Sequence, residues 1–130
     1  MNNIIIDQGT SSTKGFLIDL KGKILHTNKI YYKLDNPKPF HVECNPISIL
    51  KDIESLFNEM IHISGKTKII STGFAFQRST FLFWDKLTCQ PLTPAISWQD
   101  SRASNIIETM SEHKKKLWEI TGTPLSAHFG

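Results

Sequence analysis

The sequence predicts an α/β fold in which a three-strand antiparallel meander is followed by a crossover helix and a strand parallel to the first. Three observations carry that prediction. Two short apolar runs, Ile4-Ile5-Ile6 and Phe16-Leu17-Ile18, flank a polar turn and are rich in β-branched or aromatic residues, as strands are. Further on, Ile49, Leu50, Ile53, Leu56, Phe57, Met60 and Ile61 recur at three- and four-residue steps, the period of an amphipathic helix. A third apolar run, from Lys68 to Phe76, returns directly after it.

In chain order, the first strand is expected at about Asn3 to Asp7 and the second at about Gly15 to Leu20. Lys21-Gly22-Lys23 reads as a tight turn, with Gly22 free to take a positive φ. The third strand runs from about Lys23 to Lys33, with Ile24, Ile30 and Tyr32 among its core candidates. Residues 36–43 hold two prolines, Pro37 and Pro39, which keep the segment out of helix and central sheet, so it reads as a loop. Asn45 is a cap and Pro46 a first-turn residue, starting a helix over about 46–63 that ends near Gly65. The segment from Lys68 to Phe76 reads as a buried strand, because Ile69 and Ile70 adjoin, and Ser79 to Asp85 as a further strand. Leu87 to Pro94, with two prolines, reads as a loop, and Ala95 to Gln99 as a short extended piece. Helices are expected from Ser101 to about Ser111 and from Lys114 to Ile120, the latter closed by Thr121-Gly122. This order matches the ribonuclease-H-like α/β architecture shared with actin-like ATPases, rather than a simple doubly wound sheet.

The 130 residues suffice for one domain with a real core, and 39% hydrophobic with 21% charged residues is ordinary for a globular protein. No repeat, low-complexity segment or internal boundary is visible. The formal net charge of +3 shows no basic face beyond Lys114-Lys115-Lys116, which reads as solvated helix surface rather than a nucleic-acid patch. Cys44 and Cys89 have no metal-like spacing. They leave a disulfide open, though unpatterned thiols fit a reducing compartment better. No apolar run reaches membrane-span length and no basic-then-apolar leader is present, so a cytoplasmic protein is expected, without membrane or nucleic-acid partners.

Chemistry concentrates in Asp7-Gln8-Gly9-Thr10-Ser11-Ser12-Thr13-Lys14-Gly15. Two glycines remove side-chain obstacles, and four hydroxyl residues and a lysine can surround a phosphate. A carboxylate beside phosphate repels it unless a divalent cation intervenes, so Asp7 is a candidate magnesium anchor, and Lys14 supplies compensating charge. The same stretch is equally compatible with a plain hairpin. Gln77 and Arg78 interrupt two apolar segments at a strand end, where α/β sheets place ligands, and Arg offers a fixed fork of donors; a salt-bridged Arg at a bend is the alternative. In Trp98-Gln99-Asp100-Ser101-Arg102, Asp100 is expected to cap the following helix and Trp98 to be core. His128 stands in a C-terminal loop and carries no signal alone.

Taken together, DQGTSSTKGFLID, PFHVECNP before a helix, FAFQRSTFLFWD, PAISWQDSRA and TGTPLSAHFG resemble, in order and spacing, the start of the FGGY carbohydrate kinases. The resemblance spans essentially the whole chain. It implies transfer of the ATP γ-phosphate to a sugar or polyol hydroxyl, with ATP and Mg2+ as cofactors. Asp7 then falls on the family's metal- and phosphate-associated aspartate. Gly9, Thr10, Ser11, Ser12 and Lys14 fall in the loop approaching the nucleotide phosphates, Lys14 standing where glycerol kinases carry Arg. Gln77 and Arg78 fall on the substrate-contacting pair, with Ser79 and His128 at further substrate positions where glycerol kinases have Glu and Tyr. Those two departures argue against glycerol and leave a larger sugar or a sugar acid as plausible.

Family members are several-fold longer, with two ribonuclease-H-like domains. The resemblance therefore implies the N-terminal part of the first domain, with the general base beyond Gly130 and the second domain absent. Such a fragment is expected to be inactive and prone to self-association as a homo-oligomer. Two alternatives stand beside this reading. One is a non-catalytic sugar-binding module. The other is a ribonuclease-H-type nuclease using Asp7 with Glu43, Asp85 or Asp100 around two metals.

Overall fold

The computed structural model describes residues 1–128. In chain order the elements are β1 (Asn2–Gln8), β2 (Ser12–Asp19), β3 (Ile24–Tyr31), β4 (Glu43–Cys44), α1 (Pro46–Ser64), β5 (Ile69–Phe76), β6 (Ala95–Ile96), α2 (Ser104–Thr109) and α3 (Lys114–Thr121), with a single 3-10 turn at Ser111–His113. They form two compact units, residues 1–33 with 45–77, and residues 34–44 with 78–130. The unbroken composition predicts one domain. The division arises because two excursions, at 34–44 and from 78 onward, fold on each other.

The first unit is a four-stranded sheet in the order β3-β2-β1-β5 with α1 on one face. The meander is antiparallel and β5 returns parallel to β1, as expected for a helical crossover. β1 alternates strictly, its even-numbered residues buried. Ile4, Ile6 and Leu17 meet Leu56 and Met60 of α1 in the core, with Ile30, Ile53, Phe57 and Ile69 around it. α1 starts where the sequence places it: the Asn45 side-chain oxygen accepts from Ile47 N at 2.9 Å and Ser48 N at 3.2 Å, and Pro46 needs no partner. Gly22 takes φ 82°, as its turn requires.

Gly15 lies in β2 beneath this helix. An added Cβ would stand 3.2 Å from Leu56 Cβ and 3.3 Å from Met60 Cε. Its missing side chain therefore admits α1 to the sheet, rather than clearing a path for phosphate.

Three strand readings are corrected. β5 is a sheet edge rather than a buried strand; Phe74 and Phe76 are more than half exposed, because α1 covers only the centre of the sheet. Ile24 likewise points outward. Ser79 to Asp85 forms no regular strand: Phe81 bridges Ile96 and Trp84 bridges Pro91, each singly, after Ser79 takes φ 59°. Pro91 and Pro94 have no N–H to extend a ladder.

The second unit pairs β4 with β6, so the segment expected to be all loop contributes a short strand. α2 begins at Ser104 with no side-chain cap, and α3 ends at Gly122 with φ 67°. Asp100 is not a helix cap, and Trp98 is substantially exposed rather than core. Cys44 is buried and Cys89 exposed, both as free thiols. Burial, and then the nearby Asp35 charge, push the Cys44 thiol up. Among the described residues no helix is long and apolar enough to cross a membrane.

Candidate functional site

Parallel strands β1 and β5 end side by side, Gln8 opposite Phe76, so the hairpin turn after β1 and Gln77 after β5 share one end of the sheet. That is the end at which α/β sheets bind ligands. The turn closes with Gly9 N donating to Ser12 O at 2.9 Å, leaving Thr10 and Ser11 at its tip. Asp7 and Lys14 face each other across the hairpin as register partners. Lys14 Nζ stands 3.8 Å from Asp7 Oδ2, and both side chains are more than 40% exposed. They project from the face opposite α1, since Asp7 alternates with buried Ile6 and Gln8. An anion above the turn would meet the Lys14 ammonium and the tip residues Thr10 and Ser11, whereas Ser12 and Thr13 are buried and Gly9 N–H is engaged by Ser12 O.

Asp7 is a lone carboxylate there. Among the described residues no three His, Cys, Asp or Glu side chains gather in a metal-holding cluster. A single carboxylate does not make a protein-only cage for a hard cation, which would need further oxygen ligands from a bound anion or water.

Gln77 closes the underside of the turn. Its N–H donates to Gln8 O at 2.8 Å, and its Nε2 to Gln8 Oε1 at 3.2 Å and Tyr32 Oη at 3.1 Å. The Nε2 of Gln77, a residue expected to contact substrate, is thus engaged within the first unit, while its Oε1 is buried without a hydrogen bond.

In the second unit a pocket of about 500 Å³ is lined by His41, Ser79, Phe81, Asp100, Arg102 and His128, among others. Ser79 and His128, 49 positions apart in the numbering, therefore share one cavity. Arg78 is exposed and lies outside that lining. Asp100, only 4% exposed, anchors the pocket wall. Its Oδ2 accepts from Val42 N at 2.7 Å and Arg102 Nη2 at 2.7 Å, and its Oδ1 from Arg102 Nε at 2.8 Å. Arg102 Nη2 also reaches Glu43 Oε1 at 2.6 Å. Burial alone would raise the Asp100 pKa, but the bonds from Arg102 and Val42 outweigh it and hold the carboxyl at about 2. Arg102 is pushed further up, first by its hydrogen bonds to Asp100. The sequence marks Asp100 as a helix cap or, in the nuclease alternative, a metal carboxylate, and Arg102 only as its neighbour; neither reading joins them as a buried ion pair in a pocket wall. It gives no signal for His41 as a pocket residue.

The model of the FGGY family of carbohydrate kinases, N-terminal domain, matches residues 3–130. The chain belongs to the FGGY family of carbohydrate kinases. Curated relatives include glycerol kinase from Leifsonia xyli subsp. xyli, 32% identical over 130 residues, covering 97% of this chain and 26% of the relative. Glycerol kinase from Aquifex aeolicus is 33% identical over 126 residues, with the same coverage. The chain thus spans about a quarter of the length of the relatives it matches. Among solved structures, glycerol kinase from Plasmodium falciparum, crystallised with ADP, superposes with a TM-score of 0.91 at 33% identity, over 99% of this chain and 27% of that one. Xylulose kinase from Lactobacillus acidophilus, at 23% identity and a TM-score of 0.89 over 98% of this chain and 26% of that one, shares the fold. That fold is the actin-like ATPase class that the element order predicts.

Proposed function

We propose that this chain supplies the phosphate-cradling hairpin and an acceptor-binding pocket of an ATP-dependent carbohydrate or polyol kinase. The observation that carries the reading is the turn at residues 9–12, flanked by Asp7 and Lys14, at the shared end of two parallel strands. Family membership supports it, as does the crystallisation of the Plasmodium glycerol kinase with ADP. In this reading the turn of Gly9, Thr10, Ser11 and Ser12 lies against the phosphates, Lys14 neutralises their charge, and Asp7 would hold Mg2+. The metal would supply charge neutralisation; the residues here bind and orient. Ser79 and His128, in one pocket, face the acceptor, a sugar or polyol whose hydroxyls suit short polar groups. Arg78 is assigned to the acceptor by its match to the family pair.

The chain is read as the N-terminal portion of the first kinase domain, contributing binding and positioning but no general base. ADP formation from ATP and any polyol, pentose or sugar acid by the purified 130-residue chain would overturn that division of labour.

The phosphate reading is tested with Mg2+ tripolyphosphate, followed through the backbone amides of residues 7–14 by NMR. Saturable shifts confined to those amides are expected. Lys14→Gln should weaken binding about 10-fold, the order of one charge-assisted contact at ~1.5 kcal/mol. Unchanged affinity in that variant refutes the role of Lys14, and no saturable shift in the wild type refutes the cradle.

The nuclease alternative loses its carboxylates. Asp100 and Glu43 are both bound to Arg102, and Asp85 caps a turn through Leu87 N and Thr88 N.

A further inference from the structure

Tyr32, one residue past β3, is the hub of a hydrogen-bond network beneath the hairpin turn. Its hydroxyl donates to Gly9 O and accepts from Gln8 Nε2 at 2.9 Å and Gln77 Nε2 at 3.1 Å. A phenol has one proton and two lone pairs, so these three bonds use its full capacity. The Tyr32 backbone N–H donates to Ser11 O at 3.2 Å, and Gln8 Nε2 adds a second bond to Gly9 O at 2.8 Å. Two carbonyls of the turn are therefore held from below, both through Tyr32.

The consequence follows from peptide planarity. The Gly9–Thr10 peptide is trans, so pinning its C=O on one side directs its N–H to the other. The same holds for the Ser11–Ser12 peptide. We propose that Tyr32 is a positioning residue: its hydroxyl sets the orientation of the Gly9–Thr10 peptide, hence the conformation in which the turn receives a phosphate, and ties that conformation to Gln77 at the end of β5. This rests on the phosphate reading above. The hydroxyl's three partners are all polar, and a phenylalanine would keep the ring while releasing the peptide from the hydroxyl.

The experiment uses the full chain labelled with 15N and with 3-fluorotyrosine. The sequence holds only two tyrosines, so two fluorine signals arise. Tyr31 is the internal control, being mostly exposed with Lys29 Nζ 4.4 Å above its ring. On titration with Mg2+ tripolyphosphate, the Tyr32 fluorine signal should move with the same saturation curve as the amides of residues 10–12, and Tyr31 should stay still. Tyr32→Phe should bind about fivefold more weakly, with the free protein's turn amides displaced and those of Ile4 and Leu17 unmoved. Tyr31→Phe should bind as the wild type does. Equal affinity in Tyr32→Phe, or a silent Tyr32 signal while the turn amides report binding, overturns the proposal. A wild type whose turn amides never respond refutes the cradle itself, and this inference with it, and is distinct from a wild type that binds no better than Tyr32→Phe. Should Tyr32→Phe fail to fold, the fluorine titration on the unmutated sequence decides.

Discussion

Replacing Asp100 by Asn removes the charge that anchors the pocket wall while keeping the side-chain shape. The carboxylate accepts four bonds from Arg102 and Val42 at 2.7–2.9 Å, one of them from the Arg102 backbone N–H, and Arg102 has a further partner in Glu43. Two routes give the magnitude. A folded pKa of about 2 against an ordinary 3.8 is worth about 2 kcal/mol at neutral pH, at ~1.4 kcal/mol per unit. Removing one partner of a buried pair costs ~3–5 kcal/mol, reduced here because Glu43 remains on Arg102 and Asn still offers one acceptor. We therefore expect Asp100→Asn to destabilise the second unit by about 2 kcal/mol at pH 7. The pH dependence has a definite sign. The folded pKa is depressed, so the stabilisation is complete above the unfolded value near 4 and is lost as pH falls from about 4 to 2. The difference between wild type and variant should therefore shrink to well under half between pH 7 and pH 2. Urea unfolding followed by tryptophan fluorescence reads it cleanly, because Trp84, Trp98 and Trp118 all lie in the second unit. A gap below ~0.5 kcal/mol at pH 7, or one equal at pH 7 and pH 2, refutes the reasoning.

Two further outcomes follow from the first unit, read by tyrosine fluorescence or circular dichroism during urea unfolding. Gly15→Val should cost about 2 kcal/mol, the range for overpacking, because even its Cβ would stand 3.2 Å from Leu56 and the two methyls beyond it have no room; a neutral result would mean that α1 lifts freely from the sheet. Asn45→Ala should cost about 1 kcal/mol by leaving Ile47 N and Ser48 N without their acceptor, whereas Asn45→Asp should be nearly neutral.

Much of the first unit is legible from local pattern. Ile4, Ile6 and Leu17 alternate with half-buried neighbours, and α1 repeats Leu56 and Met60 at a four-residue step, so each element announces its inward face. Asn45-Pro46 and Gly22 carry their own geometry and fold as read. The second unit is less legible. Phe81, Phe83 and Trp84 have strand composition, yet their backbone partners are single residues of the segment from Gln90 to Ile96, and no periodicity encodes such pairings. The same holds for the exposure of β5, whose apolar residues look buried until the sheet order makes it an edge.

For the candidate site the division is the same. The sequence by itself determined that a polar, glycine-bearing turn with Asp7 and Lys14 joins two apolar strands, because a hairpin brings residues a few positions apart together whatever the rest of the chain does. Only the tertiary structure decided that Gly15 serves the helix, that Tyr32 and Gln77 meet beneath the turn across 45 positions, and that Asp100 reaches Val42 across 58. Those contacts depend on sheet order and chain return. Hydrophobic period records which face of an element is buried but not which distant polar atom will stand against it.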